Sequence, residues 1–173
     1  MTSRLSPGSG RSAACDEPRP TGSFAAALAS MEGRCNSTAT RQAARYLSAY
    51  YDKTLAAAGL RATQFTILHR LAVDGQMPIT ALAESNAMDR TTLATNLKPL
   101  EREGLVTVRT AERDRRSRTV GITAAGLTKL EEAVPLWQAA QDRFEAAFGS
   151  DAAADLRNAL RSVLDTGLAP WAD

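Results

Sequence analysis

The chain has 173 residues, enough for one domain with an appended element and for a sizeable core. Its 44% hydrophobic and 23% charged residues suit a soluble globular protein, and no run approaches the ~18 apolar residues of a membrane span, so a cytoplasmic location is expected. One histidine, two cysteines without ligand spacing (Cys15 and Cys35) and no Gly-rich phosphate loop leave catalysis, a metal site, a cofactor and a disulfide scaffold without material.

In chain order, residues 1–23 are rich in Ser, Gly, Pro and Arg and are expected to form a disordered tail. Met31 offers itself as a second start, which would leave that tail outside the native protein. From about 36 to 58, Ala44, Leu47, Tyr51 and Leu55 recur at helical spacing before a stop at Gly59. Thr63 can cap a second helix with Phe65, Leu68 and Ala72 on one face, ended by Asp74-Gly75. A short helix over about 80–85 turns Leu82 and Ala83 inward, and residues 86–88 form a turn.

Asp89 is a suitable N-cap for the next helix. Leu93, Leu97 and Leu100 give that helix an inner stripe, and at about 100° per residue Thr91, Thr95, Lys98 and Arg102 fall on the opposite face. Pro99 sits mid-helix, where it removes the bond to the Thr95 carbonyl at roughly 3 kcal/mol and is expected to kink the axis. Gly104 closes the helix. Val106 and Val108, then Val120 and Ile122, alternate as two short strands around an arginine-crowded turn. Thr123 caps a long helix in which Leu127, Leu130, Val134, Trp137, Gln141, Phe144 and Phe148 form a heptad seam that Pro135 should bend. A last helix from about 151 carries Leu156, Leu160, Val163 and Leu164.

The net charge of +2 conceals an uneven distribution. Between Arg90 and Arg118 eight basic residues face four acidic ones, a net +4, which leaves 13 basic and 15 acidic residues elsewhere, a net −2. Positive charge gathers where the helix and hairpin lie, as a contact surface for a polyanion requires. Two short helices joined by a turn and followed by a hairpin describe a winged helix-turn-helix, whose second helix fits a major groove about 12 Å wide. Thr91, Thr92 and Thr95 allow close approach, Asn96 at the edge can pair with adenine, and Lys98 suits a phosphate. In the wing, Arg113, Arg115, Arg116 and Arg118 suit a narrow minor groove, with Asp114 orienting a neighbouring guanidinium.

The segments DRTTLATNLKPLEREGLV and ERDRRSRTVGITAAG resemble the MarR family of bacterial and archaeal transcription regulators over residues from about 36 to 165. The second carries what looks like the family's wing signature in Asp114, Arg116, Ile122 and Thr123. The resemblance implies a homodimer on a pseudo-palindromic operator, and repression relieved by a small phenolic or other aromatic effector or by oxidation. The implied fold is mainly α with a small two-stranded β wing. Its parts would be the tail at 1–23, an N-terminal dimerisation helix at 24–60, a winged helix-turn-helix domain at 61–123 and C-terminal dimerisation helices at 124–168.

Two sensor sites come into view. Tyr46, Tyr50, Tyr51, Trp137 and His69 are candidates for an effector pocket, with core packing as the plainer role for each. Cys35 precedes the first helix, where some members that sense organic hydroperoxides carry a reactive cysteine. Here it stands about two residues early, and Phe65 takes the place of the tyrosine that bonds the sulfur in those sensors. A winged helix serving only protein contacts is the remaining alternative, although such modules usually lose their basic wing.

Overall fold

The computed structural model describes residues 18–110 and 118–168. They form α1 (Gly22–Met31), α2 (Asn36–Leu55), a 3-10 turn (Ala56–Ala58), α3 (Ala62–Asp74), β1 (Met77–Pro78) and α4 (Ile79–Ser85). There follow α5 (Arg90–Arg102), β2 (Val106–Thr110), β3 (Arg118–Ile122), α6 (Ala124–Phe148) and α7 (Ser150–Leu164). Two compact units divide the chain, Met1–Gln42 and Ala43–Asp173, with the division falling inside α2.

Within the first unit, α1 was not announced by any apolar periodicity. Its run of alanines favours helix by intrinsic propensity, and it buries no residue, leaving Phe24 and Met31 exposed. The segment expected as one dimerisation helix at 24–60 therefore begins with a separate short helix before α2.

In the second unit, Gly59 takes a left-handed conformation (φ 70°) that turns the chain out of the 3-10 segment toward α3. The cap of α3 is Arg61 rather than Thr63, which is already helical. Two acceptors fix this start: the Arg61 N–H donates to Gln64 Oε1 (2.9 Å), and the Ala62 N–H donates to Asp52 Oδ1 of α2 (2.7 Å). The second bond spans ten residues, so a local reading favoured the threonine instead. Phe65, Ile67, Leu68 and Leu71 make the buried face of α3, whereas Ala72 is exposed. Ile67 and Leu71 rotate the buried arc so that Ala72 falls at its solvent edge.

The hairpin has the expected two strands, with Val106 opposite Ile122 and Val108 opposite Val120. A third strand, β1, adds antiparallel to β3 with Met77 opposite Val120, giving the order β1-β3-β2. Two residues, one of them proline, offer no alternation to read, and proline is tolerated there because β1 is an edge. Leu55, Leu68, Leu82, Leu93, Leu100 and Val120 are fully buried and bring α2 to α5 and the sheet onto one core.

α6 leaves the sheet through a tight crossing. Thr123 Oγ1 accepts the Gly126 N–H (3.0 Å) and donates to the Gly104 carbonyl (2.7 Å). A Cβ at Gly126 would overlap the Leu105 carbonyl oxygen and lie 2.7 Å from Ile122 Cγ1, so the helix approaches β2 this closely only with glycine there. Of the heptad seam, Leu130 is buried but Leu127, Trp137 and Phe148 are exposed, and the core-facing stripe runs instead through Gly126, Leu130, Ala133 and Ala140. On α7, Leu160, Val163 and Leu164 are exposed as well.

Candidate nucleic-acid interface

α5 carries the main candidate surface. Asp89 accepts the Thr92 N–H at 2.9 Å and the Thr92 hydroxyl, which satisfies part of the helix's open N-terminus. These two bonds from Thr92 hold the Asp89 carboxyl below its usual pKa. A depressed folded-state value contributes stability above the unfolded pKa, and that stability is lost as pH falls through the folded value. Asp89→Asn keeps an acceptor but removes the titration, so the decline of Tm below the ordinary carboxylate range should be shallower than in wild type. Asp89→Ala should lower Tm at neutral pH as well. Identical Tm-against-pH curves for all three proteins in thermal denaturation would contradict this account of the cap.

Leu93, Leu97 and Leu100 are buried beneath the helix, and Thr91, Thr92, Thr95, Lys98 and Arg102 are exposed along it. Pro99 does not interrupt α5, which stays helical to Arg102. The outer face is therefore continuous. Thr95 Oγ1 donates to the Thr91 carbonyl (3.0 Å), leaving its lone pairs outward, while Asn96 is half-buried with its amide on the Thr92 carbonyl (2.9 Å). Asn96 must rotate away from its own helix before it can pair with a base.

Arg118 is exposed at the start of β3, opposite Thr110. Arg113, Asp114, Arg115 and Arg116 lie outside the described residues, as does Cys15. Gln76 Nε2 donates to Thr119 Oγ1 (2.9 Å) and so braces β3, where Thr119 stands opposite Arg109 in the ladder.

A separate apolar cavity of about 350 Å³ is lined by Phe65, Thr66, His69, Val134 and Trp137. Phe65 stacks between His69 (centroids 6.3 Å apart) and Trp137 (6.0 Å) with the rings nearly parallel. Tyr51 and Leu55 adjoin it through a second hollow that also touches Phe65 and Trp137. Of the five pocket candidates His69 and Trp137 line the cavity, and Tyr51 lines the hollow beside it. Tyr46 is 76% exposed and Tyr50 donates its hydroxyl to the Ala140 carbonyl (2.9 Å), so neither belongs to it. Tyr50 and Tyr51 both reach α6, the first at the Ala140 carbonyl and the second at Gln141.

Tyr51 also begins a polar chain. Its hydroxyl donates to Gln141 Oε1 (2.6 Å), Gln141 Nε2 donates to Glu145 Oε1 (2.8 Å), and Arg157 Nη1 reaches the same carboxylate (3.0 Å). The one polar residue of the heptad seam thus links α2 through α6 to α7. Burial raises the Tyr51 pKa, and the bonds from Gln141 and Arg157 lower that of Glu145.

Cys35 immediately precedes α2 and is exposed as a thiol. Hydrogen bonds from the Thr38 side chain and backbone lower its pKa. No helix among the described residues is long and apolar enough to cross a membrane, and no cluster of metal ligands occurs among them.

A capped helix with an exposed threonine face, preceded by a short helix and followed by a two-stranded hairpin to which β1 adds a third strand, defines a winged helix-turn-helix protein. Residues 60–117 match the MarR family. Among solved structures, the chain is similar to the M. tuberculosis transcriptional regulator MosR in complex with DNA. The TM-score is 0.67 at 34% identity, over 78% of this chain and 99% of that one. Its fold is also that of a mutant E. coli MarR complexed with operator DNA (TM-score 0.66, 20% identity, 74% and 92% covered). The PcaV regulator of Streptomyces coelicolor, in complex with its natural ligand, shares it too (0.67, 19%, 76% and 92%). No curated protein sequence matches the chain. The chain belongs to the MarR family of transcriptional regulators.

Proposed function

We propose that the protein is a ligand-responsive repressor that binds a pseudo-palindromic operator as a homodimer. The observation that carries this reading is the exposed, continuous outer face of α5 above a buried leucine stripe. Thr91, Thr92, Thr95 and Asn96 meet base edges in the major groove, Lys98 meets phosphate, and Arg113, Arg115, Arg116 and Arg118 enter the flanking minor groove with Asp114 orienting one of them. The exposed apolar residues Leu127, Phe148, Leu160, Val163 and Leu164 suit burial against a second copy. The domain parts then are the wing and its helices at 61–123 for DNA, with 24–60 and 124–168 for pairing. The protein works in the cytoplasm, where its DNA lies.

The effector enters the cavity walled by Phe65, His69 and Trp137. Its size is at the lower end of small-molecule sites, and its parallel rings suit a flat aromatic or phenolic compound stacked among them. The test is a gel shift on DNA flanking the gene, repeated with a series of phenolic acids. At least one should release wild-type protein, and Trp137→Ala should still bind DNA but lose that release. Release of both proteins alike would remove the cavity from the account.

Oxidation is a second reading, favoured by the exposure and lowered pKa of Cys35. Its thiolate attacks a peroxide oxygen, the O–O bond breaks, the alkoxide or hydroxide leaves, and sulfur becomes a sulfenic acid. Peroxide should then release wild type but not Cys35→Ser; equal behaviour of the two ends this reading.

A further inference from the structure

A cleft of about 880 Å³ opens beside α5, between the C-terminal part of α2 and the start of α3. Its walls include Thr95 and Arg102 from the outer face of α5, so it opens onto the surface proposed to meet DNA. Lys53 of α2 and Arg61 before α3 line it from the other side, and both are exposed.

The charges in this cleft are not balanced. Lys53, Arg61 and Arg102 outnumber the two carboxylates that line it, Glu103 and Asp52, the latter held by the first N–H of α3 at 2.7 Å. Glu103 sits 3.8 Å from Arg102, a pair too exposed and too long to neutralise much. Lys53 and Arg61 take part in no ion pair among the described residues. Two cations without a protein partner thus stand across a cleft from a helix whose face is small and hydroxyl-bearing.

We propose that Lys53 and Arg61 bind the phosphate backbone of the duplex whose major groove receives α5. This rests on the DNA-binding reading and adds a second track of backbone contacts, on the side of α5 where α2 and α3 meet. The geometry of a groove requires such a track: a helix lying in a groove about 12 Å wide is flanked by a phosphate strand on each side. Contacts of this kind set register and strength and carry no sequence information.

The experiment titrates two duplexes of about three helical turns, one of unrelated sequence and one from DNA flanking the gene, with protein at several salt concentrations. Wild type, Lys53→Gln/Arg61→Gln, Lys53→Arg/Arg61→Lys and a charge control, Lys129→Gln, are compared. The double glutamine variant should bind both duplexes more weakly by the same factor, on the order of tenfold, and flatten the salt slope by about 1.8 per bound protomer. The charge-conserving exchange should restore the wild-type slope, and Lys129→Gln should leave it alone. A slope unchanged in the double glutamine variant, with wild type binding normally, overturns the assignment and leaves DNA binding standing. Flattening by Lys129→Gln to the same degree also overturns it, since bulk charge alone would then suffice. Failure of wild type on either duplex at low salt overturns both readings together.

Discussion

Thr95→Glu should weaken operator binding by roughly a hundredfold or more while leaving the fold intact. Thr95 is exposed on α5, its hydroxyl tied only to the Thr91 carbonyl of its own helix, so substitution there should shift stability by no more than about 0.5 kcal/mol. The same carboxylate, placed in a groove lined by phosphates, meets like charge that costs several kcal/mol. The expected result is a Kd raised by roughly a hundredfold or more, with a melting curve that overlays wild type. Anisotropy titration on flanking DNA, run beside circular dichroism, reads both quantities. Unchanged affinity would move the recognition surface away from α5. A collapsed melting curve would contradict the placement of Thr95 on the outside.

The second large effect lies five residues on and has the opposite character. Leu100→Ala should lower stability by about 2–5 kcal/mol, because Leu100 is fully buried where α5 joins the core and the shortened side chain leaves a cavity. For a chain of this size that corresponds to a fall in Tm of roughly 5–20 °C. The Leu100 carbonyl also accepts the Leu105 N–H (2.8 Å) that turns the chain into β2, so loosening this position disturbs the seat of the hairpin too. DNA affinity measured well below the new Tm should fall far less than in Thr95→Glu. A stability loss under about 1 kcal/mol would contradict the burial of the leucine stripe. Together the two variants separate what holds the helix from what the helix presents.

Much of this architecture was legible in the sequence because it is local. Asp89, Leu93, Leu97, Leu100 and Gly104 specify the cap, the inner face and the end of α5 within sixteen positions, and Thr123 marks the start of α6 in the same way. What escaped was set by partners distant in sequence. Asp52 caps α3 across ten residues, Met77 finds Val120 across the sheet, and Gly126 is demanded by the Leu105 carbonyl. The apolar cavity beside α3 was half legible for the same reason. His69, Tyr51 and Trp137 were aromatic candidates in the sequence, but only the packing of α3 on α6 shows that Phe65 stacks with His69 and Trp137 and that Tyr46 is exposed. Gln141 looked like a flaw in an apolar seam until its bonds to Tyr51 and Glu145 gave it a role.

A hydroxyl-radical and methylation-protection footprint on the DNA flanking the gene tests the central claim most directly. Two protected major-groove segments are expected one helical turn apart, related by a two-fold axis, with protection of guanines lost in Thr95→Glu. Uniform weak protection without those segments, or the same footprint from Thr95→Glu as from wild type, would contradict that claim.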